Sequence, residues 1–320
     1  MENTEKNILY LVLPAYNEEE CIGDTAKELK KKYESLIKAG RISKESKILF
    51  VNDGSSDRTA ELIKELYEKD PVFALINLSG NCGHQNALIA GLMSAKEHAD
   101  AVISIDADLQ QDINAIDLML DKYFDGCDIV YGVRNDRKSD GFFKKLTALG
   151  FYDFMHMCGC KIITNHADYR LLSKRALESL SEYNEVNLFL RGLIPIIGYR
   201  SDIVYFDVHE RKAGSSKYTL RKMVRFAIDG ITSFSIRPIR FITLIGGLMF
   251  IVSLFFIILT IWEYYHGKTL PGFASMYCAI WFIGSIQLIS LGVVGEYIGK
   301  IYMETKKRPR YHIESYLWRE

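Results

Sequence analysis

Two stretches of this chain, Phe241 to Trp262 and Phe273 to Val294, contain no Asp, Glu, Lys or Arg. Each exceeds the ~20 apolar residues with which a helix crosses a bilayer, whereas soluble cores rarely hold ~18 uncharged residues in a row. Two membrane helices are therefore expected. Arg237 and Arg240 precede the first, Lys300, Lys306, Lys307, Arg308 and Arg310 follow the second, and the intervening Glu263 to Gly272 carries one Lys. That asymmetry predicts a multi-pass protein of the cell (inner or plasma) membrane with its soluble part and both termini cytoplasmic. The polar start, Met1 to Asn7, shows no cleaved signal peptide. The expected organisation is a soluble domain over 1–217, an interfacial helix over 218–236, a membrane hairpin over 237–300 (spans 241–262 and 273–294) and a basic tail over 301–320.

The first two thirds of the chain mix charge and apolarity as soluble proteins do. Short runs rich in β-branched residues recur with helical patterns between them: Ile8 to Leu13, Ile48 to Val51, Phe73 to Leu78, Ala101 to Ile105 and Ile129 to Tyr131. This alternation predicts an α/β fold, a mostly parallel sheet covered on both faces. Ser55 or Ser56 is placed to cap the following helix, and Asn17 precedes an acidic first turn. Ligands of such sheets bind beyond the carboxyl ends of the strands, and there the polar residues gather: Pro14 to Glu18, Asn52 to Ser56, Ser79 to Gln85, and Asp106 to Asp108. Past residue 160 the rhythm loosens, with a strand-like Ile203 to Val208 and a basic loop from His209 to Lys217. Tyr218 to Ser235 spaces its apolar residues as an amphipathic helix would, lying in the membrane interface or packed on the domain. Forty basic and forty acidic residues give zero net charge, which offers no footing for nucleic acid. The six cysteines lack paired CxxC spacing and read as free thiols.

The run Ala101 to Asp112 ends an apolar strand in three carboxylates. Aspartates at a strand end, one residue apart, repel unless a cation joins them. A hard divalent ion such as Mg2+ or Mn2+ accepts oxygen ligands and shares its shell with substrate phosphates. Asp106 and Asp108 fit that role, or either could cap the next helix, which is the expected role of Asp112. There is no GxxxxGK[ST] loop, no GxGxxG after the first strand and no GxSxG elbow. The Tyr16 ring and Glu18 carboxylate could instead hold a nucleobase, and Asp53 could accept hydrogen bonds from base or ribose.

Leu13-Pro-Ala-Tyr-Asn-Glu18, Val51-Asn-Asp-Gly-Ser-Ser-Asp57, Asn81-Cys-Gly-His-Gln85 and Asp106-Ala-Asp-Leu-Gln-Gln-Asp112 together resemble the family 2 glycosyltransferases with a GT-A fold. Asp168-Tyr-Arg-Leu171, Arg211-Lys-Ala-Gly-Ser-Ser-Lys-Tyr218 and the two trailing apolar runs resemble, within that group, polyprenyl-phosphate glycosyltransferases such as bactoprenol glucosyltransferases and, more distantly, dolichol-phosphate mannose synthases. The resemblance implies transfer of a sugar, expected to be glucose from UDP-glucose, to a polyprenyl (undecaprenyl) phosphate with inversion. It implies a nucleotide site at Pro14, Ala15, Tyr16, Glu18, Asp53 and Asp106, and a Mn2+ or Mg2+ ion and diphosphate at Asp106, Asp108 and Gln110. Gln110 has an alternative reading as a helix-start residue. A lipid phosphate is already ionised and needs positioning more than a strong base, for which Arg134, Arg211 and Lys217 are candidates, with Tyr218 as a donor or interfacial anchor. Asp168 is either a base beside the acceptor or the partner of Arg170. His84 reads as structural. Cys82 and Asn86 depart from the aromatic residue and Ala common at these positions in relatives.

Other donors, UDP-N-acetylglucosamine among them, suit the same motifs. A processive polysaccharide synthase is disfavoured, since the only tryptophans, Trp262, Trp281 and Trp318, lie in or after the membrane part and form no QxxRW element. A membrane-anchored nucleotide-sugar sensor without turnover is the non-enzymatic alternative. Gly246 and Gly247 permit close helix approach in a homo-oligomer without forming a GxxxG pair.

Overall fold

Strand residues alternate between two apolar layers, and this alternation builds the molecule. In β1 (Leu9–Ala15) the odd residues Leu9, Leu11 and Leu13 join one buried cluster, and the even residues Tyr10 and Val12 join the other. The computed structural model describes residues 7–135, 166–186, 188–207, 237–266 and 273–319. Its strands continue as β2 (Lys47–Asn52), β3 (Phe73–Leu78), β4 (Ala101–Ser104), β5 (Ile129–Arg134), β6 (His166–Ser173), β7 (Ser201–Phe206) and β8 (Ile313–Leu317). They form one sheet in the order β7-β5-β6-β4-β1-β2-β3-β8.

The sheet is mixed. β4, β1, β2 and β3 run parallel, as do β5 and β7, whereas β6 is antiparallel to both neighbours and β8 is antiparallel to β3. One face is covered by α1 (Ile22–Lys38), α2 (Thr59–Lys69) and α4 (Ala115–Phe124). The other is covered by α3 (His84–Ala95), α5 (Lys174–Ser181) and α6 (Leu190–Ile197). Buried on both sides, the central strands read as near-continuous apolar runs. α3 lies so close to the sheet that a Cβ on Gly91 would stand 2.4 Å from Val12 Cγ1.

All five expected strands of the first 131 residues are present, displaced by at most a few residues. The strand foreseen at Ile203 to Val208 is β7, at Ser201–Phe206. Two strands carry no clear mark in the sequence. β6 contains Asp168 and Arg170 where a buried strand ordinarily carries apolar residues. β8 lies in what reads as a basic tail.

The helix caps differ from expectation. α2 has Arg58 as N-cap with no side-chain cap, and Asp57 Oδ1 accepts from Thr59 N at 3.0 Å. Ser55 and Ser56 bond Asn17 instead. α1 begins at Ile22, four residues beyond the polar turn that Asn17 opens. Asp112 also stands outside its helix: its Oδ1 accepts from Asn114 N at 2.9 Å, while Asn114 is the N-cap of α4.

The carboxy-terminal helices are α7 (Arg237–Tyr265) and α8 (Phe273–Lys306). Among the described residues one stretch, Phe282–Lys306, is apolar and long enough to cross a membrane, with a shorter apolar stretch at Ile239–Leu248. The 34 residues of α8 span about 51 Å at 1.5 Å per residue, against a hydrocarbon core of about 30 Å. Its far end reaches the sheet domain, where Glu304 Oε2 accepts from Val186 N at 2.9 Å. Arg310 then donates to Tyr183 O at 2.6 Å, β8 closes the β3 edge, and Trp318 packs 5.3 Å from the Tyr10 ring and 4.8 Å from His98. Residues 218–236 lie outside the described residues.

Covering an edge strand removes a row of unpaired backbone groups. Deleting residues 311–320 should therefore lower the melting temperature of the detergent-solubilised protein by about 6 °C or more, for a loss of about 3 kcal/mol. An unchanged transition by differential scanning fluorimetry would show that β8 adds nothing to the domain.

Candidate active site

The loops after β1, β2, β3 and β4 meet along one rim, and the first three are laced together by their own polar groups. Asn17, in a left-handed conformation with φ 53°, accepts from Ser56 N at 2.9 Å and donates its own N–H to Ser55 Oγ at 3.0 Å. Asn and Asp tolerate that backbone region better than other side-chain-bearing residues. Glu18 N donates to Thr59 Oγ1 at 2.9 Å, and Glu18 Oε2 accepts from Cys21 Sγ at 2.9 Å. Pro14 and Ala15 are buried in the end of β1, while the Tyr16 ring beside them is 47% exposed.

Asp53 is buried, and its partners are backbone amides. Oδ1 accepts from Cys82 N at 2.8 Å, and Oδ2 from Gly83 N at 3.0 Å. The carboxylate thus holds the third loop against the second. Gly54 makes that approach possible: with φ +63° and Gly80 atoms 2.5 Å from where a Cβ would stand, no side chain fits. Burial, a hydrogen bond to Asp53 and the Asp53 charge push the Cys82 thiol up to about 12.

Beyond β4, Asp106 N donates to Gln111 Oε1 at 3.1 Å, and Gln111 Nε2 donates to Asp106 Oδ2 at 2.6 Å. Leu109 takes φ 55°, and the turn lets Gln110 N donate to Asp108 Oδ1 at 3.2 Å. Gln110 therefore touches the acidic pair through its backbone, and the buried Gln111 is the glutamine whose side chain orients a carboxylate. Burial raises the pKa of Asp106, and the Asp168 and Asp108 charges add to it, with His84 opposing.

β4 and β6 pair Ser104 with Arg170, and continuing that register brings Asp106 level with Asp168. His84, at the start of α3, lies between them, with Nε2 3.7 Å from Asp106 Oδ1 and 3.7 Å from Asp168 Oδ2. The two carboxylate oxygens are thus no farther apart than twice that distance. Asp168 is also bonded to two guanidinium groups. Arg170 donates to Oδ1, while Arg191 donates to Oδ1 through Nε at 3.3 Å and to Oδ2 through Nη2 at 2.9 Å. Burial alone would raise the Asp168 pKa, but Arg191 and Arg170 hold it well below the usual carboxylate range. At the start of β6, His166 is buried edge-on to Tyr131, and neither ring nitrogen has a hydrogen-bond partner among the described residues. Burial, then Arg170, holds it well below its ordinary pKa.

Of the residues expected from sequence, Asp106, Asp108, Asp168, Asp53, Pro14, Ala15, Tyr16 and Glu18 lie on this rim. Arg134 ends β5 and is exposed. Arg211, Lys217 and Tyr218 lie outside the described residues. Sequence reasoning missed Gln111, Arg191 and the place of His84. The Gln-Gln pair and the basic residue at a helix start were visible, but Gln111 meets Asp106 only through the left-handed turn at Leu109, and the Asp168 partner of Arg191 lies on a strand 23 residues away.

A divalent cation fits the acidic pair by donor chemistry. Asp106 and Asp108 offer hard oxygen ligands, and burial followed by neighbouring negative charge raises the pKa of Asp106. Among the described residues no cluster of three or more His, Cys, Asp or Glu is arranged as a metal site, so an ion here would take further ligands from substrate or water. Cys21, Cys82 and Cys127 form no disulfide among the described residues.

The profile described as "Glycosyl transferase family 2" matches residues 10–181, and that of the "GtrB C-terminal hairpin" matches 237–301. The uncharacterized glycosyltransferase YkoT of Bacillus subtilis is 50% identical over 98% of this chain and 93% of its own length. The bactoprenol glucosyl transferase of Shigella phage SfX is 40% identical over 95% of this chain and 98% of its own. Among solved structures, mannosyltransferase PcManGT from Pyrobaculum calidifontis, in complex with GDP-Man and Mn2+, is 15% identical with a TM-score of 0.48, covering 94% of this chain and 86% of that one.

A thiol with a pKa of about 12 holds only about three ten-thousandths of its population as thiolate at pH 8.5. Cys82 should therefore react with iodoacetamide at pH 8.5 at least tenfold more slowly than a cysteine peptide, and Asp53→Asn should speed it, as read by mass spectrometry. Fast labelling in the unsubstituted protein would contradict the Asp53 contact.

Proposed function

The chain belongs to the family 2 glycosyltransferases and carries a GtrB-type C-terminal hairpin, and from that premise we propose that it moves glucose from UDP-glucose to undecaprenyl phosphate with inversion at the anomeric carbon. The observation that carries the acceptor is the 40% identity to a bactoprenol glucosyl transferase over nearly all of both chains. The geometry supports a division of labour along the rim. The half-exposed Tyr16, with Pro14, Ala15 and Glu18, receives the nucleoside. Asp53 shapes that pocket from below through the 82–83 amides.

Asp106 and Asp108 hold the divalent cation, Mn2+ or Mg2+, with Gln111 fixing Asp106 and the Gln110 amide fixing Asp108. Bound there, the ion supplies charge neutralisation for the departing diphosphate. Asp168 stands across His84 from Asp106 and borders the acceptor side. A phosphate acceptor enters already ionised, so orienting it against the sugar does most of the work. Arg134 at the end of β5, with Arg211, Lys217 and Tyr218, supplies positive charge and a hydroxyl for that phosphate.

We place the catalytic domain on the cytoplasmic face, with α7 and α8 as a two-helix anchor, residues 218–236 in the interface and the tail after α8 also cytoplasmic. The uncharged runs and the flanking Lys and Arg residues support this arrangement.

Purified protein incubated with labelled UDP-glucose, Mn2+ and undecaprenyl phosphate should yield a chloroform-soluble labelled lipid. Long polymer, or donor binding without transfer, would refute this reading, and a donor screen tests the choice of glucose. Asp108→Asn should reduce transfer at least a hundredfold and abolish metal-dependent UDP binding while membrane insertion persists. Full activity in that variant would remove the metal from the mechanism.

A further inference from the structure

Two guanidinium groups converge on the single carboxylate of Asp168, and only one is needed to neutralise it. Arg170 is fully buried, pairs with Asp168 from within the sheet and donates to Leu190 O at 3.4 Å. That pair alone satisfies the rule that a buried charge be matched by an opposite one. Arg191, from the first turn of α6, is the second, and its side chain is 27% exposed on the rim. Its Nε and Nη2 both engage Asp168, a two-point contact that fixes the plane of the guanidinium. The Asp168 peptide is itself anchored, since Ser104 Oγ donates to Asp168 O at 2.5 Å. Among Asp168, Arg170 and Arg191 the positive charges outnumber the negative by one, and the three side chains are held rigidly together. This patch lies across His84 from Asp106.

The patch faces a definite electrostatic problem. A phosphate cannot approach a bare carboxylate such as Asp168 without strong repulsion. With Arg170 and Arg191 both in place, the same position attracts an oxyanion. A donor whose diphosphate sits at the Asp106 and Asp108 end must be attacked from the other side of the sugar in a single displacement. The patch faces the Asp106 end across His84.

We propose that Arg191 contacts the phosphate of the acceptor and that Asp168 is its positioning residue, orienting the guanidinium instead of removing a proton. This inference rests on the function proposed above. It adds a phosphate ligand to that function and assigns Asp168 a role through its salt bridge. The chemical class recognised is a phosphate oxyanion, available in principle from donor or acceptor, and the test separates the two.

Binding is measured on the full-length protein in detergent, without turnover: UDP with Mn2+ by calorimetry, and a short-chain polyprenyl monophosphate by equilibrium partition. Arg191→Ala should weaken the polyprenyl monophosphate at least tenfold and leave UDP within twofold. Arg191→Lys, which keeps the charge and loses the fork, should recover part of the loss and controls for misfolding of the alanine variant. Asp168→Asn should reproduce the acceptor-selective weakening, whereas a residue serving only as proton acceptor would lower turnover and leave lipid binding intact. Weakened UDP with unchanged lipid binding would make Arg191 a donor ligand and overturn the proposal, as would no change in either. If the unsubstituted protein binds both ligands but transfers no sugar, the proposed function fails while the Arg191 assignment is still decided by these affinities.

Discussion

Burial disfavours the charged form of Asp168, Arg191 and Arg170 hold it ionised, and much of the rim is organised around that contact. Arg170 comes from the same strand two residues on, while Arg191 comes from α6. The salt bridge therefore ties the one internal antiparallel strand of the sheet to the helix covering it. Removing both guanidinium groups would leave the Asp168 charge uncompensated at low dielectric, which is far more costly than losing an exposed ion pair. Asp106 experiences the opposite balance. It lies across His84, and burial and its neighbours raise its pKa. The two carboxylates on one rim are thus shifted in opposite directions, a contrast suited to holding a cation-bound diphosphate on one side and an anionic nucleophile on the other.

Such a division could be read only partly from the chain. The parallel core was legible because β1 to β5 are apolar runs punctuated by polar loops, and the acidic pair stood out because charge at the end of a buried strand has a cost. β6 was illegible for the converse reason: Asp168 and Arg170 neutralise each other within the strand, so the segment looks polar and irregular. β8 was hidden because Lys306 to Arg310 dominate the composition of the tail, while Ile313, Leu317 and Trp318 acquire meaning only against β3 and Tyr10. Ser55 and Ser56 look like caps because a hydroxyl before a helix usually is one. Here the left-handed Asn17 recruits both, and stitching two site loops together takes precedence over capping α2.

The carboxy-terminal end connects these local facts to the proposed membrane anchor. α8 is longer than a bilayer requires, and its last turns bond the loop after α5 through Glu304 before the chain enters the sheet as β8. β8 pairs with β3, and Ser79, first residue of the loop that Asp53 grips, donates to His312 O at 3.0 Å. A helix end and the donor-side loop therefore share one hydrogen-bonded edge. An anchor joined by a limp tail would let the rim drift relative to a lipid headgroup. A helix fastened at Val186 and again along β3 restricts that freedom, which matters for a reaction whose acceptor is confined to a surface.

The same confinement bears on what the acceptor side must do chemically. An alcohol acceptor requires a base to remove its proton, and a carboxylate serving that purpose should be kept out of strong ion pairs. Asp168 is held in two, and its pKa lies below the usual range, so as a proton acceptor it would be weak. A phosphate acceptor has no such need. What it requires is a place where negative charge is welcome at the edge of a site already crowded with carboxylates, and a fixed guanidinium plane provides one. The strength of the Asp168 salt bridges, which would be a defect in a base, is what a positioning residue requires.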